Sequence, residues 1–248
     1  VETDIARRFF DEVVRLARQD KLLSSDHFTV DGTLIEAWAS FKSFKRKDGD
    51  EPPKPGDGTG MVDFKGEKRS NATHRSTTDP DAKLMRKGNG QPAKLSYGGH
   101  ALMENRSGLC VDLLITDATL AEHQAARQLL TRARRRRIHP KTLGADKGYH
   151  VKDFVQHLRE HNIRPHIARI EGRKTPGLDG RTTRTEGYKI SQRKRKRIEE
   201  IFGWLKTVGG MRKTRFIGEA RTQIAAYLSA AAYNLLRIAK LQTAGGAT

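Results

Sequence analysis

The chain has 248 residues, 48 of them Lys or Arg against 29 Asp or Glu, giving a formal net charge of +19 and a pI near 10.3. No apolar run is long enough to span a bilayer, the charged start Val1–Phe10 is no export signal, and the single Cys110 excludes an internal disulfide framework and fits a reducing cytosol. The length suits one large α/β domain or one domain with an insertion, and the cationic excess favours a polyanionic partner, because phosphate contacts release condensed counterions.

In chain order, Asp4 to Leu23 predicts a helix with Ile5, Phe9, Val13 or Val14, and Leu16 as its apolar stripe. The chain starts almost inside that helix, so 1–26 is expected to be the remnant of a longer N-terminal helical region. His27 to Ala37 alternates and is rich in β-branched residues, which predicts a strand. From Phe41 to Ala93 polar residues, Gly and Pro dominate, with scattered apolar residues such as Met61, Val62 and Phe64. The stretch 41–93 is therefore expected to be a polar insertion after the first strand, with little core of its own. Leu95 to Met103 and Leu109 to Thr116 predict two strands joined by the turn Glu104–Gly108. Leu120 to Arg137 predicts a helix burying Leu120, Ala125 and Leu129 or Leu130; it ends in the basic cluster Arg132 and Arg134 to Arg137, where cations suit the helix dipole. Lys141 to Ala145 predicts a strand, Val151 to Glu160 a helix, and Arg164 to Ile170 a short strand. A polar loop, Glu171 to Gly187, precedes a basic helix from Ser191 to Val208. After Gly209 and Gly210 comes an Ala- and Leu-rich helix, Arg221 to Leu241, and a tail over 242–248. This order predicts an α/β fold, an RNase H-like mixed sheet flanked by helices, built from 27–40 and 94–241.

Three carboxylates carry the chemistry. Asp31 lies inside the apolar, β-branched strand Phe28–Thr33, where an ionised acid is costly unless paired or coordinating metal. Gly32 after it leaves room for a close approach. Asp26, in a polar Ser24-Ser25-Asp26 turn, is explained by solvation alone. Asp146 ends the short apolar strand before a glycine turn, at the carboxyl end where sheet enzymes place ligands. The helix after it starts too late, near Val151, for Asp146 to cap it well, whereas capping suffices for Asp117. Between Glu199 and Glu200 helix geometry decides. With Ile198 at 0°, Phe202 falls at about 40°, Leu205 at about 340°, Glu199 at about 100° and Glu200 at about 200°. Glu199 thus stands at the edge of the apolar stripe, and Glu200 points to solvent.

Three acids from separate elements are the minimum for two divalent ions about 3.5–4 Å apart. Oxygen ligands select Mg²⁺ or Mn²⁺ over zinc. His157 and His161 read as surface or packing residues, and Cys110 as a small buried hydrophobe. Lys189 to Arg197 places six basic residues in nine without an acid and leads into Glu199. Arg193, Lys194, Arg195, Lys196 and Arg197 are therefore expected to carry phosphate backbone toward the metals. The final helix reads as packing.

At these residues the sequence resembles the DDE transposases of bacterial insertion sequences, of the insertion-sequence-five kind. The matching pieces are Val30-Asp31-Gly32-Thr33, Gly144-Ala145-Asp146-Lys147-Gly148-Tyr149, and Arg195-x3-Glu199-x6-Lys206. Where that family's third motif begins with a tyrosine, this chain has Gln192, with Tyr188 the nearest tyrosine. The resemblance implies Mg²⁺-dependent cleavage and strand transfer at insertion-sequence ends, with Arg195 and Lys206 near the scissile phosphate. It also implies double-stranded DNA, both transposon end and target, as partner, a homo-oligomer on that DNA, no membrane, and a bacterial cytoplasm as location. The rival expectations are an RNase H-like nuclease that only hydrolyses, and an inactive DNA-binding relative.

Overall fold

The computed structural model describes residues 2–47, 62–64 and 67–245; Met61 and the rest of 48–61 lie outside the described residues. Helix α1 (Glu2–Gln19) leads into the long strand β1 (His27–Glu36). Short strands follow, β2 (Phe44–Arg46), β3 (Val62–Phe64), β4 (Glu67–Arg69), β5 (His74–Ser76) and β6 (Lys83–Met85), and then the hairpin β7 (Lys94–Glu104) and β8 (Leu109–Asp117). The rest is α2 (Glu122–Arg135), β9 (Thr142–Ala145), α3 (Lys152–Glu160), β10 (Arg164–Ile167), α4 (Gly180–Thr183), α5 (Glu186–Lys194), α6 (Ile198–Thr207) and α7 (Glu219–Gly245). Among the described residues no helix is long and apolar enough to cross a membrane.

β1 pairs antiparallel with β7 and parallel with β9, and β9 pairs parallel with β10. β6 and β8 share the far side of β7, both antiparallel to it. This is the RNase H-like mixed sheet. β7 and β8 are buried along almost their whole length, so the apolar run Leu109–Ile115 packs on both faces. Two side-chain amides of α7 complete the outer edge of β8. Gln223 bonds Ile115 N and Leu113 O, and Asn234 bonds Cys110 N and Cys110 O. Backbone groups that would otherwise be orphaned are thereby paired.

Several expected boundaries move. The apolar stripe of α1 is rotated: Ala6, Phe10, Val13, Val14 and Ala17 are buried, while Ile5, Phe9 and Leu16 are exposed. α1 packs on α7, whose buried residues include Ala226, Tyr227, Ala230 and Ala231, with Phe10 stacked on Tyr227 at 5.7 Å. The buried face of α1 mixes the small Ala6 and Ala17 with Phe10, whose ring fills the seam against Tyr227, so the stripe is set by the helix's rotation against α7 rather than by residue size.

The segment 41–93 is not a bare insertion. β6 joins the main sheet, β2 pairs β5, and Phe44, Ala82 and Leu84 enter the core. Three-residue strands are too short to show a period in sequence. The loop expected over Glu171–Gly187 holds α4, capped by Asp179, and the start of α5, capped by Thr185. The basic helix accordingly begins at Glu186 rather than Ser191, and a 3-10 turn, Arg195–Arg197, separates α5 from α6. The tail expected over 242–248 is helical as far as Gly245, with 246–248 outside the described residues.

Two of the five arginines in the basic cluster ending α2 turn inward. Arg136 and Arg132 reach the buried Asp112 of β8 at 2.9 and 3.8 Å, and Arg136 also holds Asp11 of α1 at 2.7 Å.

Candidate active site at the carboxyl ends of the strands

Sheet register brings the first two acids together. β1 and β9 run parallel with Thr29 beside Gly144. Two residues further along each strand stand Asp31 and Asp146, just past the last paired residues of β9. Beyond Thr29 strand β1 loses its parallel neighbour and changes from buried to half-buried, which opens Asp31 to a cleft. Asp146 caps the 3-10 turn Lys147–Tyr149, its Oδ1 accepting from Gly148 N at 2.7 Å, while α3 starts only at Lys152. The cap role dismissed for α3 thus exists for the shorter turn. Asp31 Oδ1 accepts from Gly32 N at 2.8 Å.

A fourth carboxylate, absent from the sequence-based set, stands with them. β8 runs parallel to β1, so the helix after it, α2, begins at the same end of the sheet, with Glu122 as its first residue. The Glu122 head lies between two glycines. Oε1 is 2.7 Å from where a Cβ on residue 32 would stand, and Oε2 is 3.2 Å from where one on residue 148 would stand. These glycines make space for a carboxylate, not for backbone freedom. The cleft, about 510 Å³, is lined by Asp31, Gly32, His100, Glu122, Asp146 and Lys87 among others. Burial first, then repulsion from Asp146 and Glu199, pushes Asp31 up to about 6. Partial burial, then Asp146 and Asp31, pushes Glu122 up to about 7 although the residue as a whole is exposed.

Glu199 and Glu200 diverge as adjacent helical residues must. Both are exposed, but the charge of Glu199 acts on Asp31, whereas Glu200 pairs with Arg197 at 3.4 Å and acts on Tyr233. Glu199 approaches Asp31 from the α6 side and does not line the cleft.

Arg195 is set by close packing of its turn on β9: a Cβ on Gly144 would stand 3.2 Å from Arg195 Cβ and from Ser191 Oγ. Its guanidinium is held by Gln192 Oε1 at 3.1 Å and acts on Asp31. The Tyr188 hydroxyl donates to Ile167 O, and the Gln192 amide donates to His166 O. Lys206 donates to Thr33 Oγ1 of β1, and burial, with Lys87 and Arg212, lowers its pKa. Lys87 and Arg212 were not legible as part of this cationic rim, because each lies in a segment with no periodic signal. Arg193, Lys194 and Lys196 are exposed, whereas Arg197 donates to the carbonyls of Asn105 and Arg106 and so braces the β7–β8 turn.

The other acids and histidines fall elsewhere. Asp26 pairs with Lys141 at 2.8 Å, and Asp117 accepts from Thr119. His157, Glu160 and His161 bring ligand atoms within 4.8 Å of one another on α3, but Arg127 and Arg134 act on His157 and oppose a cation there.

No curated protein matches the sequence. A pre-cleavage Mos1 transpososome matches the whole chain and 64% of its own chain at 10% identity and a TM-score of 0.29. A Mos1 transposase paired-end complex with left transposon end matches 94% of this chain and 62% of its own at 9% identity and a TM-score of 0.30. The chain therefore spans less than two thirds of the length of these solved relatives. Residues 57–235 match the family described as transposase DDE domain, a span that starts after Asp31 and contains Glu122, Asp146 and Glu199. With well over half its length in that match, the chain belongs to the transposase DDE domain family.

Proposed function

We propose that this chain forms the catalytic centre of a DNA transposase of the insertion-sequence-five-like group, cutting insertion-sequence ends and joining them to target DNA. The observation that carries the reading is the register that sets Asp31 and Asp146 at one level on neighbouring strands, with Glu199 acting on Asp31 from α6. Asp31, Asp146 and Glu199 would hold two divalent cations. The donor set fits them: every donor is a carboxylate oxygen, which suits Mg²⁺ or Mn²⁺, and the acids are gathered where like charges repel. Bound there, the cations would activate the attacking oxygen and offset charge on the leaving one.

The chain's own residues do the rest. Arg195 and Lys206 flank the acids and would orient the scissile phosphate. The exposed Arg193, Lys194 and Lys196 would carry the duplex backbone toward it. Lys87, which lines the cleft, and Arg212 act on Lys206 and extend the positive rim.

Asp31→Asn, Asp146→Asn or Glu199→Gln should cut cleavage of an end-bearing duplex by about a thousandfold or more, the loss of several kcal/mol of transition-state stabilisation. DNA binding should survive in each. A plasmid assay that separates joined strands from nicks distinguishes transposition from plain hydrolysis. Cleavage that persists in Asp31→Asn and Asp146→Asn would overturn the assignment of these acids, and DNA binding without any cleavage by the unaltered chain would overturn the catalytic reading in favour of a DNA-binding protein.

A further inference from the structure

The geometry assigns Glu122 to the cation site as a fourth carboxylate, on the face of Asp31 and Asp146 away from Glu199; this rests on the metal-dependent reading of that site. Both oxygens of Glu122 are engaged by position. Oε1 fills the space left by Gly32, beside Asp31, and Oε2 fills the space left by Gly148, beside Asp146 Oδ1. A first-turn glutamate is favoured by the helix dipole wherever its head points. That preference does not explain why the head turns onto two other acids.

Two buried polar atoms supply an independent reason for a cation there. His100 is 3% exposed, and its Nδ1 lies 3.1 Å from the Cβ position of residue 32, next to Glu122 Oε1. The tautomer follows from its neighbours. Thr116 Oγ1 donates to Asp117 O, so it accepts from His100 Nε2 at 3.0 Å, and Nδ1 is left as a bare acceptor. Among the described residues Nδ1 has no hydrogen-bond partner, and neither does the fully buried Tyr149 hydroxyl, which faces the charge of Glu122, Asp31 and Asp146. A carboxylate and an imidazole lone pair side by side repel unless something positive or hydrogen-donating lies between them. A hydrated Mg²⁺ or Mn²⁺ supplies both, because it keeps several waters that donate outward while carboxylates hold the ion.

The test is Mn²⁺ binding to the purified chain without DNA, followed by the loss of the free-ion electron paramagnetic resonance signal. Glu122→Gln should weaken binding by about tenfold or more, since even residues that only support metal ligands cost 10–100-fold. Gly32→Ala, which adds a Cβ 2.7 Å from Oε1 and displaces the flexible head, should weaken it in the same direction without removing a charge. The double variant should bind no worse than Glu122→Gln alone, because both changes remove one ligand. Unchanged affinity in Glu122→Gln, with binding lost in Asp31→Asn, rejects Glu122 and leaves the metal reading intact. Absence of Mn²⁺ binding by the unaltered chain, or binding insensitive to Asp31→Asn and Asp146→Asn, overturns both.

Discussion

Asp31 and Asp112 are the same residue in the same kind of place with opposite company. Each sits within a strand of the main sheet, and each accepts the next backbone amide, Gly32 N at 2.8 Å and Leu113 N at 2.9 Å. Asp112 is closed off and meets the guanidinium groups of Arg136 and Arg132. Asp31 opens on a cleft and meets Asp146 and Glu199, with Arg195 opposing them. An acid in an apolar strand demands compensation in both cases. Where the compensation lies inside the chain, the acid holds the fold together. Where the neighbours are more acids, Arg195 and the Gly32 amide compensate only in part, and the acid is left raised above its usual range.

The largest effect expected from that contrast is on stability at Asp112. Asp112→Ala opens a buried void and strips Arg132 of its counter-charge, leaving Arg136 only the half-exposed Asp11, and should cost about 3–5 kcal/mol in denaturant unfolding. A loss under about 1 kcal/mol would mean that the pair contributes no more than a surface bridge, and the contrast would fail.

Asp31→Asn should act in the opposite direction on the metal-free protein. Folding raises Asp31 from 3.8 to about 6 and Glu122 from 4.5 to about 7. Through those windows the folded form keeps protons that the unfolded form has released, so stability falls as pH rises and stays lost above them. The neutral histidines His27, His100 and His166, lowered to about 4, work the other way, removing stability as pH falls from 6.5. The parent profile superimposes both slopes, so the difference between parent and Asp31→Asn is the informative quantity. At pH 7.5 with chelator the variant should be more stable by about 1–2 kcal/mol, after discounting the shift for solvent screening. The gain should vanish below about pH 4. Added Mn²⁺ should then stabilise the parent more than the variant. A variant destabilised as Asp112→Ala is would erase the distinction between the two acids.

The same contrast marks what was legible in the sequence. The strands, their order and the positions of Asp31, Asp146 and Glu199 rest on period and on acids in the wrong surroundings, and both signals are local. Glu122 carried no such signal. As a first-turn helix residue it looks ordinary, and it joins the cleft only because β8 runs parallel to β1 and delivers α2 to the same end of the sheet. The Arg132–Arg137 cluster misled for the mirror-image reason: two of its five arginines, Arg132 and Arg136, are spent on Asp112, an acid set among the apolar residues of β8. The α1 stripe misled through rotation, since Phe9 and Phe10 are equally hydrophobic and only packing against α7, with Phe10 stacked on Tyr227, decides which is buried. Sign of partner, strand direction and helix packing are all non-local, and each decided a residue's role here.

The smallest expected effect extends the comparison to the surface. The exposed Glu200 pairs at 3.4 Å with the half-buried Arg197 at the start of α6, beside Glu199. Solvent compensates Glu200, and the Asn105 and Arg106 carbonyls accept from Arg197, so Glu200→Gln should change stability by less than about 1 kcal/mol. Cleavage should stay within about twofold of the parent, a change well under 1 kcal/mol in barrier. Arg197 keeps its bonds to the Asn105 and Arg106 carbonyls after that change, so the β7–β8 turn should hold its place. Glu199→Gln, one residue away and equally exposed, removes a charge that acts on Asp31. The pair of variants separates exposure from chemistry, because only the direction of the side chain distinguishes them. Equal losses of cleavage in the two would show that the helix does not present Glu199 selectively to the sheet.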